Sequence, residues 1–425
     1  MARTLTPVEA YALMNELHAQ ATGQKTLTAV NASNFVSVGE DVLATGFENT
    51  LNALSMVLGR TIVAVRPYKS KFGLIQSIST GAYTHRLRKI SYYSRNDLPA
   101  GNFNTNLFPA NLKAGATHQK VTTSGSEATA SMWLQNPPVP LEQNFAGSSV
   151  WQTSTTTYRD ALKMAFNSVE SFSAFVAGAL TELGNDIETD KESFRRAAVL
   201  QHIGMTYDAG ATESKVNLTA AYNAKFGTSY TTAQLQTTYL QSFLAFMSAK
   251  MKLDSDRLTE RSAAYHDARA KTVVNPESGA SETLSILRHT PKEKQKLFIY
   301  NPLFADAEAL VLPTIFNPQY LGLPDVNIER VGYWQSNYTE AGRSGVSVTP
   351  AVYNAAGQTA GTAVALDYVV GLLFDEDALV VDYQLDSVDT TPIEARKHFY
   401  NTWYSFARNI ISDPTEKAIL YYMAD

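Results

Sequence analysis

The sequence predicts an α+β fold, and three observations support this class. The middle of the chain carries apolar residues three or four positions apart, which is the spacing of amphipathic helices. The last third contains near-continuous apolar runs, which are typical of strands covered on both faces. A third region has strand propensity but no clean apolar face. We therefore expect an α+β chain whose character changes from region to region.

The composition describes a globular and mildly acidic chain. Of its 425 residues, 44 % are hydrophobic and 18 % are charged, far from the composition of disordered proteins. The net charge of −5 argues against a sequence-reading DNA-binding protein. The absence of cysteine excludes disulfides, thiolate zinc sites and cysteine nucleophiles. Because the sequence shows no targeting segment and no long apolar run, we expect a soluble protein made inside the cell.

Residues 1–60 are predicted to form an N-terminal arm that begins with a helix. Thr6-Pro7-Val8-Glu9 has the pattern of a capping box with proline at the first helical position. This helix should end at Gly23, where a glycine can take the left-handed conformation. The rest of the arm mixes polar turns with apolar stretches and leads into a strand predicted at 61–65.

Residues 61–135 hold an extended, positively charged segment. From Tyr83 to Arg95 the chain has strand propensity without an apolar face, and no acidic residue follows until Asp97. The next stretch is rich in Asn, Gly and Pro, although long structureless loops and isolated two-stranded ribbons are both unusual in compact domains. Ordering against a neighbouring subunit would remove this conflict.

We therefore predict that this segment docks onto an acidic neighbour or lies near nucleic acid. The alternative is a solvated strand edge that its charges protect from aggregation. The predicted contact residues are Arg86, Arg88, Lys89, Tyr92, Tyr93 and Arg95.

Residues 136–295 are predicted to be mainly helical. The apolar spacing predicts one helix from about Phe166 to Gly184. A second helix should run from the capping box Thr189-Asp190-Lys191-Glu192 to Gly204, and a third should begin near Thr232. Glycine at the end of a helical pattern is a common stop signal.

Residues 296–390 are predicted to mix strands with one short helix. Strands are expected at 297–300, 326–331, 369–374 and 378–383, and a helix at 305–312. The next segment, 391–408, permits two interpretations. Thr391-Pro392-Ile393-Glu394 has the pattern of a helix start, whereas every second residue from Tyr400 to Phe406 has strand-forming character.

No sequence motif points to catalysis or metal binding. The residues Asp375, Glu376 and Asp377 could form a cation site through oxygen ligands, but a solvated hairpin turn is the simpler interpretation. Thr123-Ser124-Gly125-Ser126-Glu127 lacks the frame of a serine nucleophile turn. No phosphate-binding loop is present, and no two of the histidines have metal-ligand spacing: His18, His85, His118, His202, His266, His289 and His398. We therefore expect no catalytic residue, no cofactor and no metal.

The order of these segments resembles that of the major capsid proteins of tailed bacteriophages, which share the Hong Kong 97 fold. Arg88-Lys89-Ile90-Ser91-Tyr92-Tyr93 is similar to the extended E-loop of that family. Trp133-Leu134-Gln135-Asn136-Pro137-Pro138 is similar to the passage that returns from it. Residues 158–185 resemble the lead-in and long spine helix of the peripheral (P) domain. The strand at 297–302, with Ile315-Phe316-Asn317-Pro318, resembles the opening of the axial (A) domain, and 390–416 resembles the closing segment of such chains.

The resemblance implies a domain division of the chain. We expect an N-terminal arm at 1–60, the E-loop with flanking strands at 61–135, a P domain with the spine helix at 136–295 and an A domain at 296–390. Residues 391–425 would return to the P domain, so the ambiguous segment would be a strand.

The resemblance also implies a shell-building protein and not an enzyme. Copies of the chain would form hexamers and pentamers of an icosahedral head around double-stranded DNA, without sequence-specific DNA binding and without a membrane. Because the segment that resembles the E-loop begins by about residue 80, too little chain precedes it for a built-in scaffolding region. A separate scaffolding protein and a portal are therefore expected, with assembly in the host bacterial cytoplasm and a final place in the virion capsid.

Three other interpretations stay open at this point. An encapsulin-type nanocompartment shell shares the fold but is generally formed by shorter chains and encloses cargo enzymes. A hydrolase would use Asp375–Asp377 and a distant histidine. A tail or portal component would form tubes or rings in place of closed shells.

Overall fold

A computed structural model of the chain describes residues 7–23, 28–45, 69–80, 86–94, 122–123, 126–127, 138–146, 149–158, 169–267, 271–274, 281–303, 305, 327–354, 357–392, 394, 396 and 399–425. The strand predicted at 61–65 lies outside these residues. So does all but residue 305 of the helix predicted at 305–312, and so does most of the Asn-, Gly- and Pro-rich stretch.

The α-helices of the described residues are α1 (Pro7–Thr22), α2 (Ala32–Ala44), α3 (Val169–Asp208), α4 (Leu218–Phe226), α5 (Thr232–Gln236), α6 (Leu240–Leu258) and α7 (Glu340–Ser344). The strands are β1 (Gln76–Ile78), β2 (Arg86–Tyr92), β3 (Thr122–Thr123), β4 (Ser126–Glu127), β5 (Pro140–Ala146), β6 (Ser149–Tyr158), β7 (Lys215–Asn217), β8 (Lys271–Val274), β9 (Ser281–Leu284), β10 (Gln295–Tyr300), β11 (Ile328–Val331), β12 (Val346–Val348), β13 (Ala351–Asn354), β14 (Gly357–Ala360), β15 (Val364–Leu366), β16 (Tyr368–Asp375), β17 (Leu379–Thr390), β18 (Phe399–Ser412) and β19 (Ala418–Met423). The predicted α+β class is confirmed.

Helix α1 begins at Pro7 and ends before Gly23, as the sequence predicts. Gly23 has φ +68, a left-handed conformation in which a residue without Cβ is favoured. Helix α2 packs against α1, where Tyr11 contacts Phe35 and the buried imidazole of His18 lies 2.8 Å from the carboxylate of Asp41. The described part of the N-terminal arm is therefore a pair of packed helices.

The two helices predicted between Phe166 and Gly204 are one continuous helix, α3, so the predicted break is wrong. The hydroxyl of Thr189 donates to the carbonyl of Asn185 at 2.8 Å within the helix, where the capping-box interpretation required it to accept from a first-turn amide. Glu192 instead accepts from Arg196, one turn later, at 2.6 Å. Gly204 does not end the helix either, since α3 continues to Asp208. A Cβ at position 204 would lie 2.7 Å from Val348. Its glycine serves a close approach between elements.

The helix predicted near Thr232 is interrupted, which the sequence pattern did not indicate. Thr231 and Gln234 form a capping box at the start of α5. The chain then leaves helical geometry at Thr237 (φ −121, ψ −78), and α6 begins at Leu240. Between them, the half-buried Tyr239 stacks on Tyr230 with ring centroids 3.9 Å apart, and both rings pack against the core that contains Leu235 and Phe243.

Two larger sheets organise the strands. The four-stranded sheet has the order β1-β17-β18-β6, and the five-stranded sheet has the order β11-β10-β16-β19-β7. The chain crosses from the five-stranded to the four-stranded sheet at the turn between β16 and β17. It returns through residues 413–417, between β18 and β19. Because β18 runs as a strand from Phe399 to Ser412, the strand interpretation of the ambiguous segment is confirmed for residues 399–408.

The five-stranded sheet is covered on both faces, as the continuous apolar run of β16 predicts. Phe298 and Phe374 face α3, where they pack with Val199. Leu297 and Leu373 face the opposite way, into a core built with α4 and α6. Helix α3 also packs on β17 of the four-stranded sheet, so this single helix joins both sheets.

Among the described residues, no helix combines the length and apolarity needed to cross a membrane. The domain boundaries expected from the sequence stay predictions.

Candidate functional site

Strands β2 and β5 form a two-stranded antiparallel ribbon. The register runs from Arg86 opposite Ala146 to Tyr92 opposite Pro140. The extended conformation predicted around Arg88 is therefore confirmed over the length of β2. The far part of the segment, including Arg95, lies outside the described residues.

The ribbon has an inner and an outer face, because successive side chains of a strand point to opposite sides. On β2 the outer face carries Arg88, Ile90 and Tyr92. Ile90 is 50 % exposed and Tyr92 is 61 % exposed. The inner face carries Leu87, Lys89 and the buried Ser91, and it lies on the body of the same chain.

The inner face rests first on a small apolar patch. Leu87 and Phe145 lie directly opposite each other and pack on Val380 and Ile411 of the four-stranded sheet. The sequence shows no core face in this segment because each strand contributes only one of these residues. The base of the ribbon, which is the end where Arg86 lies opposite Ala146, is thus supported by its own chain.

One step farther along β2, Lys89 enters a cluster of charges. Its ammonium group forms an ion pair with Asp413 and lies 2.5 Å from the carboxylate of Glu416. Arg288 approaches the same oxygen of Glu416 at 3.3 Å and donates to the hydroxyl of Ser91 at 2.7 Å. We call Lys89, Arg288, Asp413 and Glu416 the anchor.

The anchor balances two cations against two anions in a largely buried place. Asp413 is 1 % exposed, so its charge depends on its partners. Burial alone would raise the pKa of Asp413, but Lys89 and neighbouring hydrogen bonds outweigh it and lower this pKa. Burial likewise opposes the charge of Lys89, yet Asp413 and Glu416 raise its pKa above the ordinary value. Glu416 keeps a raised pKa because burial dominates there.

Neutral hydrogen bonds complete the surroundings of Asp413. The amide of Gln143, which lies on β5 opposite Lys89, donates to Asp413 at 3.0 Å. The hydroxyl of Thr415 donates to the same carboxylate at 2.8 Å. Both strands of the ribbon are therefore bonded to the segment that links β18 to β19.

The outer face makes weaker contacts within the chain. Arg88 lies 2.7 Å from Glu142 of β5, with side chains that are 59 % and 41 % exposed. Exposed ion pairs of this kind contribute only about 0–1 kcal/mol to stability.

The ring of Tyr93, next to the end of β2, lies 6.0 Å from the ammonium of Lys271, and burial raises the pKa of Tyr93.

The six predicted contact residues thus have different places. Arg88 and Tyr92 are on the outer face, and Tyr93 is half-buried at the end of the strand. Lys89 points inward to carboxylates of its own chain. For Arg86 the structure describes the backbone position only, opposite Ala146.

Sequence reasoning missed Arg288, Asp413 and Glu416. One signal was present, because Lys89 shares its strand parity with Leu87 and so belongs to the inner face. Nothing in the sequence identified the carboxylates that meet it.

The acidic turn between β16 and β17 is occupied by contacts within the chain. Asp375 is buried, accepts from the hydroxyl of Thr290 at 2.7 Å and caps the turn by accepting from the amide of Asp377. Asp377 pairs with Lys294 at 3.0 Å. The turn is therefore capped and partly buried. The prediction of a solvated hairpin turn is wrong in that respect. Across the part of the chain that the structure describes, no group of three or more metal-ligating side chains occurs.

The chain matches one family model and several solved structures. The family described as Phi29-like phage major capsid protein matches residues 113–422. The capsid structure of Staphylococcus phage Andhra is 9 % identical, with 84 % of this chain and 85 % of that chain covered and a TM-score of 0.47. A structure of the head fiber and inner core protein gp22 of bacteriophage P68 is 10 % identical, with 84 % and 85 % covered and a TM-score of 0.49. The mature capsid of bacteriophage PhiM1 is 10 % identical, with 84 % and 88 % covered and a TM-score of 0.41. No curated protein matches the chain.

Proposed function

Because the chain belongs to the family of Phi29-like phage major capsid proteins, we propose that the outer face of its ribbon binds a neighbouring copy in the phage head. The chain is a structural protein of the virion that assembles with itself into the capsid. The family membership supports a capsid protein. No observation supports the encapsulin, hydrolase and tail or portal interpretations.

The observation that carries the proposal is the asymmetry of the ribbon. Its inner face is fastened to its own chain, whereas Ile90 and Tyr92 are left largely exposed on the outer face. Aromatic side chains and arginine are enriched at protein interfaces, and Arg88 lies on the same face. A shell subunit needs contacts on several sides, and an extended ribbon provides such area without enlarging the core.

The partners follow from the same function. We propose hexamers and pentamers of the chain, a separate scaffolding protein and a portal, with assembly in the host bacterial cytoplasm. The net charge of −5 supports an inner wall that does not hold double-stranded DNA tightly or read its sequence. Correctly sized shells assembled from this chain alone would overturn the part that concerns the scaffolding protein.

The double substitution Ile90→Ser and Tyr92→Ser tests the outer face. We expect a folded subunit that forms few or no closed particles, since about 25 cal/mol is lost for each Å² of apolar surface that a neighbour would bury and half or more of each side chain is still exposed. Electron microscopy and sedimentation of the purified protein measure the yield of particles. Circular dichroism confirms that the subunit is folded.

The matched control is Leu253→Ser with Tyr338→Ser. These side chains are 46 % and 91 % exposed and lie on α6 and just before α7, outside the ribbon. The control variant should assemble like the unsubstituted chain. A normal particle yield from the Ile90→Ser and Tyr92→Ser variant would refute the proposed role of the outer face.

A further inference from the structure

The ribbon is fastened to its own chain at successive points along its inner face. Leu87 rests on the four-stranded sheet at the base. Lys89 then pairs with Asp413 and Glu416, and Ser91 accepts from Arg288. Beyond the end of β2, the amide of Ser94 donates to the carbonyl of Ser285 at 2.9 Å. The attachments thus follow the ribbon outward over its described length.

We propose that the anchor, formed by Lys89, Arg288, Asp413 and Glu416, sets the direction in which the ribbon leaves the subunit before any neighbour binds. This inference rests on the proposed function of the ribbon as an interface. The four side chains act as positioning residues, because they hold the surface that would meet a neighbour and do not belong to that surface.

The geometry explains why the anchor controls direction. A single apolar patch at the base would hold the ribbon but leave it free to rotate about that point. Lys89 lies two residues from Leu87 along β2, which is about 7 Å in a strand. A second attachment at this distance, made by charged groups with directional hydrogen bonds, removes that rotation.

The segment that receives the ribbon is itself held firmly. The amide of Asp413 donates to the carbonyl of Ala378 at 2.8 Å, and the amide of Asp375 donates to the carbonyl of Lys417 at 2.9 Å. The carbonyl of Pro414 accepts from the amide of Asp267 at 2.7 Å. Because residues 413–417 connect the two sheets, the anchor fixes the ribbon relative to both of them.

The charges give the anchor its specificity. A buried ion pair adds little net stability, but breaking it leaves an uncompensated buried charge, so one arrangement of the ribbon is strongly preferred. A ribbon rotated away from this place would leave Asp413, which is 1 % exposed, without its cation. An apolar contact would tolerate many small rotations, whereas this cluster does not.

The absence of cysteine allows a direct measurement of ribbon direction in the full chain. Substituting Tyr92→Cys on the ribbon and Tyr338→Cys on the body introduces two exposed attachment sites for spin labels. Double electron–electron resonance on unassembled subunits then reports the distribution of distances between the labels. We expect one narrow distribution for the otherwise unsubstituted chain.

The test variant is Lys89→Met with Asp413→Asn in this labelled background. It removes one charge of each sign and leaves Arg288 paired with Glu416, so no uncompensated charge is buried. We expect a broadened or shifted distribution while the circular dichroism spectrum is unchanged. The conservative variant Lys89→Arg keeps the charge and should keep the narrow distribution. A narrow, unshifted distribution for the Lys89→Met and Asp413→Asn variant would overturn the proposal.

Two further variants complete the design. Arg88→Met with Glu142→Gln removes an equal pair of charges from the outer face and should leave the distribution narrow. Ser91→Ala removes one attachment without removing a charge. It replaces the Lys89→Met and Asp413→Asn variant as the test if that variant does not fold. An unchanged distribution for Ser91→Ala in that case also counts against the anchor. Because all these readings use unassembled subunits, they are independent of the particle yields that test the outer face.

Discussion

Acid should destabilise this protein through two buried histidines, His202 and His266. His202 is 1 % exposed on α3, and its Nδ1 lies 2.9 Å from the hydroxyl of Ser412. Burial lowers its pKa from 6.5 to about 4, against a small opposing effect of Asp413. His266 and His202 line one small cavity. Burial, with the nearby charges of Lys417 and Arg288, lowers its pKa to about 4 as well.

The sign and size of the effect follow from proton linkage. The unfolded chain binds protons at these histidines near pH 6.5, whereas the folded chain does so only near pH 4. The free energy of unfolding therefore decreases as the pH is lowered from 6.5 to 4. A shift from 6.5 to about 4 corresponds to about 3 kcal/mol for each histidine once both states are protonated. At pH 4.5 about 2.5 kcal/mol of each contribution would already be lost. The contributions are fully present above pH 6.5.

Urea unfolding of unassembled subunits at several values between pH 7 and pH 4.5 measures this loss. The variant His202→Asn keeps a group that can bond Ser412 but cannot be protonated. Its free energy of unfolding should be lower at pH 7, because ring volume is lost, yet it should fall less steeply with acid than that of the unsubstituted chain. Equal pH slopes for the two proteins would refute the assignment of the acid sensitivity to His202.

The other predictions concern a helix contact and the anchor. Gly204→Ala should lower the free energy of unfolding by about 1–3 kcal/mol, measured by urea denaturation, because its Cβ would lie 2.7 Å from Val348 and 3.1 Å from Pro350. A stabilised variant would show that the helix simply tolerates alanine there. The raised pKa of Lys89 means that its contribution is present below its ordinary value of 10.5 and is lost as pH rises through the folded value. The urea midpoint above pH 10.5 should therefore fall more steeply for the unsubstituted chain than for the Lys89→Met and Asp413→Asn variant; parallel curves would contradict this.

Local chemistry made several elements predictable from the sequence. Proline at the first position and glycine after the last defined α1, because both act on the backbone of their own residue. The alternation from Tyr400 to Phe406 predicted β18, because these side chains lie on one face of the strand and that face is buried. The continuous apolar run of β16 predicted its burial on both faces, and α3 with α4 and α6 provides that cover.

The sequence misled where a side chain found a distant partner. The pattern at Thr189 fits a capping box, but Glu192 bonds Arg196 and the amide of Lys71, so the helix continues through it. Lys89 is separated from Asp413 by 324 residues, and no local rule pairs them. The charge of the ribbon was therefore predictable, whereas the division of its charges between an inner and an outer face required the fold.

A cryo-electron microscopy reconstruction of shells formed by this chain tests the role of the ribbon most directly. We predict that Ile90 and Tyr92 are buried against a neighbouring copy, while Lys89 remains on Asp413 of its own chain. Shells in which the outer face of the ribbon is exposed to solvent, or in which Lys89 pairs with another copy, would contradict this prediction.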